Sequence, residues 1–186
     1  MVFTETRLKG AFVIDPEQHT DERGYFARTY CQREFAAHGL NAKVVQASLS
    51  YNAKRGTVRG MHYQLFPHEE VKLIRCVRGA LYDVAVDLRP DSPTCGQWTA
   101  VELSAEPGKA ARMFYIPEGF AHGFQTLEDH TEILYQMSAF YVPEAGRGAR
   151  WNDPAFAIEW PLPVAVISER DRTYPDFVVP CRVATS

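Results

Sequence analysis

The chain lacks an apolar run long enough to span a bilayer, a CxxC pair, a repeat at a solenoid period and a low-complexity linker. Its formal net charge of -3 and pI near 6.1 argue against a general nucleic-acid or membrane-surface binder. Lys and Arg gather around 54–78, so a local basic pocket fits the same composition. The four cysteines, Cys31, Cys76, Cys95 and Cys181, have no regular spacing, which speaks against a zinc cluster or a disulfide frame and for free thiols in a reducing compartment. The opening stretch, MVFTETRLKGAFVID, shows no signal-like apolar segment. A cytoplasmic protein with neither membrane nor nucleic acid as partner is the expectation.

What is present suits one compact domain over residues 1–186, since 46% of the chain is hydrophobic. Glycine and proline recur at short intervals, and the segments between them alternate with period two, the mark of half-buried strands. In LYDVAVDLRP, Tyr82, Val84, Val86 and Leu88 share one face, with Asp83, Asp87 and Arg89 on the other. In TEILYQMSAFYVP, Ile133, Tyr135 and Met137 share a face. Further strands are expected near 10–14, 43–51, 57–64, 71–78, 98–103 and 112–116. One short helix is expected over 32–39, ending at Gly39. Many short strands with few helices imply an all-β sandwich or barrel. The Pro- and Trp-rich residues 143–186 read as a tail that wraps it.

The stretch RGTVRGMHYQ raises the question of chemistry. Cupin barrels carry a metal-binding HxH motif followed by a glutamate, and a second motif PxGxxH. Here the second is present as Pro117, Gly119 and His122, but Gln64 stands where the first would have its second histidine. An amide is a poor ligand for a first-row metal. One reading keeps a weak metal site of His62, His122 and a glutamate (Glu69 or Glu70). The other frees His62 to act as a base. By alternation, Val58, Gly60 and Gln64 would share its face. Lys72 lies with Ile74 and Cys76 on an otherwise apolar face, and Tyr135 between Ile133 and Met137. A buried ammonium or phenol needs a partner or a use. Each residue alone also has a structural reading, as a satisfied core histidine, a snorkelling lysine and a core tyrosine.

Taken together, the motifs resemble those of the dTDP-4-dehydrorhamnose 3,5-epimerase (RmlC-like) family of sugar-nucleotide epimerases. The matching stretches are DERGYFARTY, GTVRGMHYQ, KLIRCVRGALYDVAVDLRPDSPT, IPEGFAHGF, LYQMSAFYVP, WNDPAFAIEWP and SERD, in family order over nearly the whole chain. The resemblance implies a double-stranded β-helix, the cupin-type jelly-roll barrel, usually as a homodimer and with no metal or organic cofactor. It also implies a nucleotide-linked 4-keto-6-deoxy sugar as substrate, epimerised through an enolate in deoxysugar biosynthesis. Residue by residue, it makes His62 the general base, Asp171 the carboxylate that orients it, Lys72 the cation at the enolate oxygen and Tyr135 the general acid. Tyr141 would stack on the nucleobase, and Arg23, Arg59 and His122 would contact substrate and phosphates, with Gln46, Gln64, Arg28 and Arg170 at neighbouring contact positions.

Departures from the family pattern fall outside the acid–base set. Arg28 stands where a glutamate is usual, Gln46-Ala47-Ser48 where the family has QDN or QEN, Gly146 where a loop glutamate is expected, and Arg170 in place of the lysine of SxKD. These suggest unchanged chemistry on a substrate that differs in its sugar or its nucleotide, such as a CDP-linked sugar. The rival readings are a metal-dependent cupin enzyme using His62 and His122, and a sugar-nucleotide binding module without catalysis.

Overall fold

The computed structural model describes residues 1–106 and 111–180. The strands are β1 (Val2–Glu5), β2 (Phe12–Asp15), β3 (Gln18–Asp21) and β4 (Gly24–Ala27), followed by helix α1 (Gln32–Ala37). Then come β5 (Gln46–Asn52), β6 (Val58–Gln64), β7 (Lys72–Arg78), β8 (Ala80–Asp87), β9 (Trp98–Ser104), β10 (Met113–Ile116), β11 (Phe120–Thr126) and β12 (Thr131–Met137). The tail adds β13 (Gly146–Gly148) and helix α2 (Glu169–Arg172).

Two antiparallel sheets form the barrel. One runs β1-β2-β10-β7-β12-β5 and the other β13-β6-β11-β8-β9, while β3 and β4 make a separate hairpin. From β5 to β13 the chain changes sheet at every connection except the β8–β9 hairpin, which is the jelly-roll pattern that the family resemblance implies. All the expected strands form. Those not anticipated are β1, the β3–β4 hairpin, β11, where FAHGFQT was read only as a motif, and β13. Helix α1 ends at Ala37, before Gly39 at φ +70°.

Between the sheets lies the main core. Ile74, Cys76, Phe114, Ile116 and Ile133 from one sheet meet Leu81, Ala85, Phe120 and Phe124 from the other. Each fully buried large side chain contributes about 1.5–3 kcal/mol. Phe35 of α1 covers the outer face of the first sheet over Ile14, Leu73 and Tyr115. The tail covers the outer face of the second, where Phe156, Ile158 and Trp160 pack on Met61, Val84, Val86 and Ala121. The apolar row of β8 therefore faces the tail, and the row that carries Asp83 and Asp87 faces the barrel. Both faces are covered, so alternation on β8 does not separate core from solvent.

Cys31 and Cys76 are free thiols, but Cys95 is disulfide-bonded, which corrects the expectation of four free cysteines. Irregular spacing along the chain carries no information about which sulfurs meet in space. Cys181 lies outside the described residues. Burial pushes the Cys76 thiol up to about 11, the state of an inert core residue. Among the described residues no helix is long and apolar enough to cross a membrane.

One local feature sets the geometry of β6. His62 pairs with His122 of β11, but Arg59 pairs with Phe124, so β6 carries an extra residue between the two pairs. Gly60 sits in this bulge at φ +123°, and a Cβ there would lie 2.5 Å from the Gly123 Cα. Gly24 has a similar φ of +124° with nothing within 4 Å. Gly60→Ala is therefore expected to lower unfolding free energy by at least about 2 kcal/mol, backbone strain plus overpacking. Gly24→Ala should show only the backbone part. Urea unfolding of both variants checks this, and equal losses would contradict the close approach.

Candidate active site

Residues directly opposite on paired strands share a face. The bulge thus places Arg59, rather than Val58, on the barrel side with His62 and His122. On the facing sheet, Tyr135 is opposite Ile74 and Ser48, and Met137 is opposite Lys72 and Gln46. The barrel mouth is therefore walled by imidazole and guanidinium on one sheet, and by ammonium, phenol and amide on the other.

His62 is 42% exposed, and its Nε2 is 2.7 Å from Asp171 Oδ1, a carboxylate 5% exposed. Asp171 reaches this position because the tail is docked on the outer face of the second sheet. Ser168 caps α2 by accepting from the Asp171 backbone N–H at 3.1 Å, and the second Asp171 oxygen accepts from the Gly60 N–H at 3.1 Å. Burial on its own would raise the Asp171 pKa, but the hydrogen bond and charge of His62 and the Gly60 N–H outweigh it and hold the carboxyl below its ordinary value. With Nε2 committed to Asp171, Nδ1 is the ring nitrogen left for a ligand.

Lys72 Nζ lies 2.6 Å from Glu70 Oε1, with side-chain exposures of 11% and 10%. Tyr135 has its pKa raised well above the ordinary phenol value, by burial first and then by the Asp83 carboxylate, with Arg59 opposing. Its ring stands edge-on to His122 at 5.8 Å. His122 is itself buried at 5% exposure, and its Nε2 lies 2.6 Å from Asp83 Oδ1. Asp83 is wholly enclosed, and burial raises its pKa against the pull of His122. This second histidine–aspartate pair lies behind the cavity wall. The sequence signal for it was an acid on the barrel face of β8.

Three adjoining cavities meet at these groups. One of about 430 Å³ is lined by Gln46, Ser48, Lys72, Tyr135 and Tyr141. It shares Lys72 and Tyr141 with one of about 230 Å³ that reaches His62, Arg147 and Arg170. That in turn shares His62 and Arg170 with one of about 390 Å³ beside Arg59 and Asp171. Arg59 Nε donates to Asn52 at 2.8 Å, and Arg170 Nε donates to the Tyr174 hydroxyl at 2.6 Å. Tyr141 is 56% exposed, and its backbone N–H donates to Gln46 at 2.7 Å. Gln64 is turned to the protein: its oxygen accepts from the Val142 N–H at 2.7 Å and its amide donates to His68 O at 2.8 Å. It thus secures the segment that presents Tyr141.

Arg23 and Arg28 are not brought to this site within one chain. Arg23 lies in the β3–β4 turn, where it pairs with Asp21, and Arg28 directly follows β4 and pairs with Glu34 of α1. Among the departures noted above, Ser48 and Gly146 border the cavities, and a Cβ on Gly146 would sit 3.4 Å from the Tyr141 hydroxyl. Ala47 points to the opposite face of β5 from Ser48.

The family model described as dTDP-4-dehydrorhamnose 3,5-epimerase matches residues 5–178. The enzyme of that description from Methanothermobacter thermautotrophicus is 45% identical over 175 residues, covering 92% of each chain. Among solved structures, the dTDP-4-dehydrorhamnose 3,5-epimerase of Elizabethkingia anophelis superposes with a TM-score of 0.90 at 39% identity, over 95% of this chain and 96% of that one. The Bacillus anthracis enzyme, solved with TDP and pyrophosphate bound, gives 0.89 at 39% identity over 95% and 99%.

The lowered Asp171 pKa has a consequence for stability. A carboxyl whose pKa falls on folding stabilises the fold above its unfolded pKa, and that contribution is lost as pH drops through the folded value. Asp171→Asn is expected to cost about 2 kcal/mol at neutral pH, as for a charged hydrogen bond. The gap to the parent protein should close as pH falls below about 4. Urea unfolding across pH measures it, and a gap independent of pH would show that the carboxylate charge is not responsible.

Proposed function

The chain belongs to the dTDP-4-dehydrorhamnose 3,5-epimerase family and is an epimerase, and on that premise we propose that it inverts carbon next to the ketone of a dTDP-linked 4-keto-6-deoxy sugar. The observation that carries this reading is the His62–Asp171 pair on one wall and Lys72 and Tyr135 on the other, around adjoining cavities that share Lys72 and Tyr141. His62 Nδ1 takes the proton from the carbon beside the ketone, and ionised Asp171 stabilises the imidazolium. The electron pair moves to the ketone oxygen, where the Lys72 ammonium meets the enolate charge, a contribution of about 3–4 kcal/mol for one good donor. Tyr135 returns a proton to the opposite face. Its phenol is kept protonated by burial and by Asp83, and Arg59 stabilises the phenolate it becomes. Exchange with water then resets both groups.

The donor set favours this over a metal centre. Glu70 is paired with Lys72 and the Gln64 oxygen with Val142, so two imidazoles remain where a catalytic metal uses three protein ligands. Ser48 and Gly146 at the cavity edge support a second reading, the same chemistry on another nucleotide such as CDP. We further propose a homodimer. Tyr25 and Phe26 on the β3–β4 hairpin are 45% and 72% exposed, and Leu49 and Tyr51 on edge strand β5 are 61% and 48% exposed. A partner's hairpin would bring Arg23 and Arg28 to a site that one chain leaves without them.

In deuterated water, a proton NMR time course with dTDP- and CDP-linked 4-keto-6-deoxy sugars should show deuterium entering beside the ketone, with the dTDP compound preferred. His62→Asn should slow exchange by about 10²–10⁴-fold. Unchanged exchange in that variant would remove His62 as base, and preference for CDP would favour the second reading. Sedimentation velocity should give twice the mass of the chain, and a monomer at micromolar concentration would refute the dimer.

A further inference from the structure

We propose that Glu70 is a positioning residue for the Lys72 ammonium, an inference that rests on Lys72 being the cation at the enolate oxygen. Glu70 and Lys72 both line the two cavities that flank Tyr141. Their 2.6 Å contact is shielded, at about a tenth exposure on each side. A carboxylate beside the ammonium weakens the field that the ammonium exerts on a nearby oxyanion. Electrostatics alone would therefore leave this position neutral, so the pair answers a different need. A lysine carries its charge on a flexible four-carbon stem, and an acceptor that holds one of its hydrogens fixes where that charge sits.

Glu70 is itself held on two sides. Its other oxygen receives the Gln64 amide at 3.4 Å. The next residue, Val71, donates its N–H to Ser138 Oγ at 2.8 Å and accepts from the Ser138 N–H at 3.1 Å. The Gln64 oxygen also accepts from the Val142 N–H, so a hydrogen-bonded connection runs from the Tyr141 segment through Gln64 and Glu70 to the ammonium. What Glu70 supplies to Lys72 is an acceptor oxygen at a fixed place, and a glutamine can supply that too.

The test uses Glu70→Ala, Glu70→Gln and Glu70→Asp in the full chain, with two readouts. In turnover of the keto-sugar nucleotide, Glu70→Ala should lose about 10- to 100-fold in kcat, as for a misplaced catalytic group, with KM changed by less than about threefold. Glu70→Gln should keep kcat within about threefold of the parent enzyme. If Glu70→Ala fails to fold by circular dichroism, Glu70→Asp replaces it and should show a smaller loss in kcat, again without KM. The second readout is reductive methylation with ¹³C-formaldehyde, with the Lys72 signal assigned by Lys72→Met. Lys72 should react more slowly than Lys9, Lys43 and Lys54 in the parent and in Glu70→Gln, and severalfold faster in Glu70→Ala or its replacement. A loss confined to KM, a kcat within twofold after acceptor removal, or Glu70→Gln as impaired as Glu70→Ala would overturn the proposal. If the parent enzyme catalyses no exchange, the proposed function falls instead. Methylation then still decides on Glu70, because an unchanged Lys72 rate removes the tether.

Discussion

A buried carboxylate must be surrounded by donors, and the Asp171 carboxylate meets that demand by joining the tail to β6. It accepts from His62 on β6, from the backbone of Gly60 in the bulge, and its own backbone N–H is capped by Ser168 in the tail. The tail can deliver it only because Phe156, Ile158 and Trp160 are seated on the outer face of the second sheet. The imidazole is thus oriented by the packing of residues about a hundred positions away. Loosening that apolar contact would disturb the imidazole without touching it.

The two sheets divide the chemistry. The sheet with β6 and β11 carries two histidines, each tied to its own aspartate, one pair at the cavity surface and one behind it. The sheet with β7 and β12 carries the ammonium and the phenol. Separation on opposite walls suits a reaction that removes a proton from one face of a ring and returns one to the other. Burial pushes every one of these acids up, and the donors around each decide the outcome. The phenol and the deep aspartate stay raised, while donors hold Asp171 low. The acid–base groups are in this way set apart in proton affinity by surroundings that the same barrel provides.

Around this set the cavity edge carries departures from the family pattern. Ser48 and Gly146 are small residues at the cavity edge, and Gly146 leaves the Tyr141 hydroxyl uncrowded. Gln64, which in a metal-binding barrel would be a histidine, instead fastens the segment before β13 and reaches Glu70. The side chain at this position is a clamp, not a ligand, and that is what the RGTVRGMHYQ stretch builds in the fold.

Much of the barrel was legible in the chain. Period-two alternation located most of the strands, and the family resemblance named His62, Lys72, Tyr135 and Asp171 before their geometry was known. Alternation failed where its assumption fails. β8 is covered on both faces, so its acids point inward, and the extra residue in β6 moves Arg59 to the face that simple counting assigns to Val58. The disulfide at Cys95 left no mark in the spacing of the cysteines, and the His122–Asp83 pair joins residues of different strands. Local pattern determines which residues can form strands and which carry reactive groups, because those properties belong to each residue and its near neighbours. Which groups meet, on which wall and at what proton affinity was decided only by tertiary structure, because burial and charge pairing are properties of position in space.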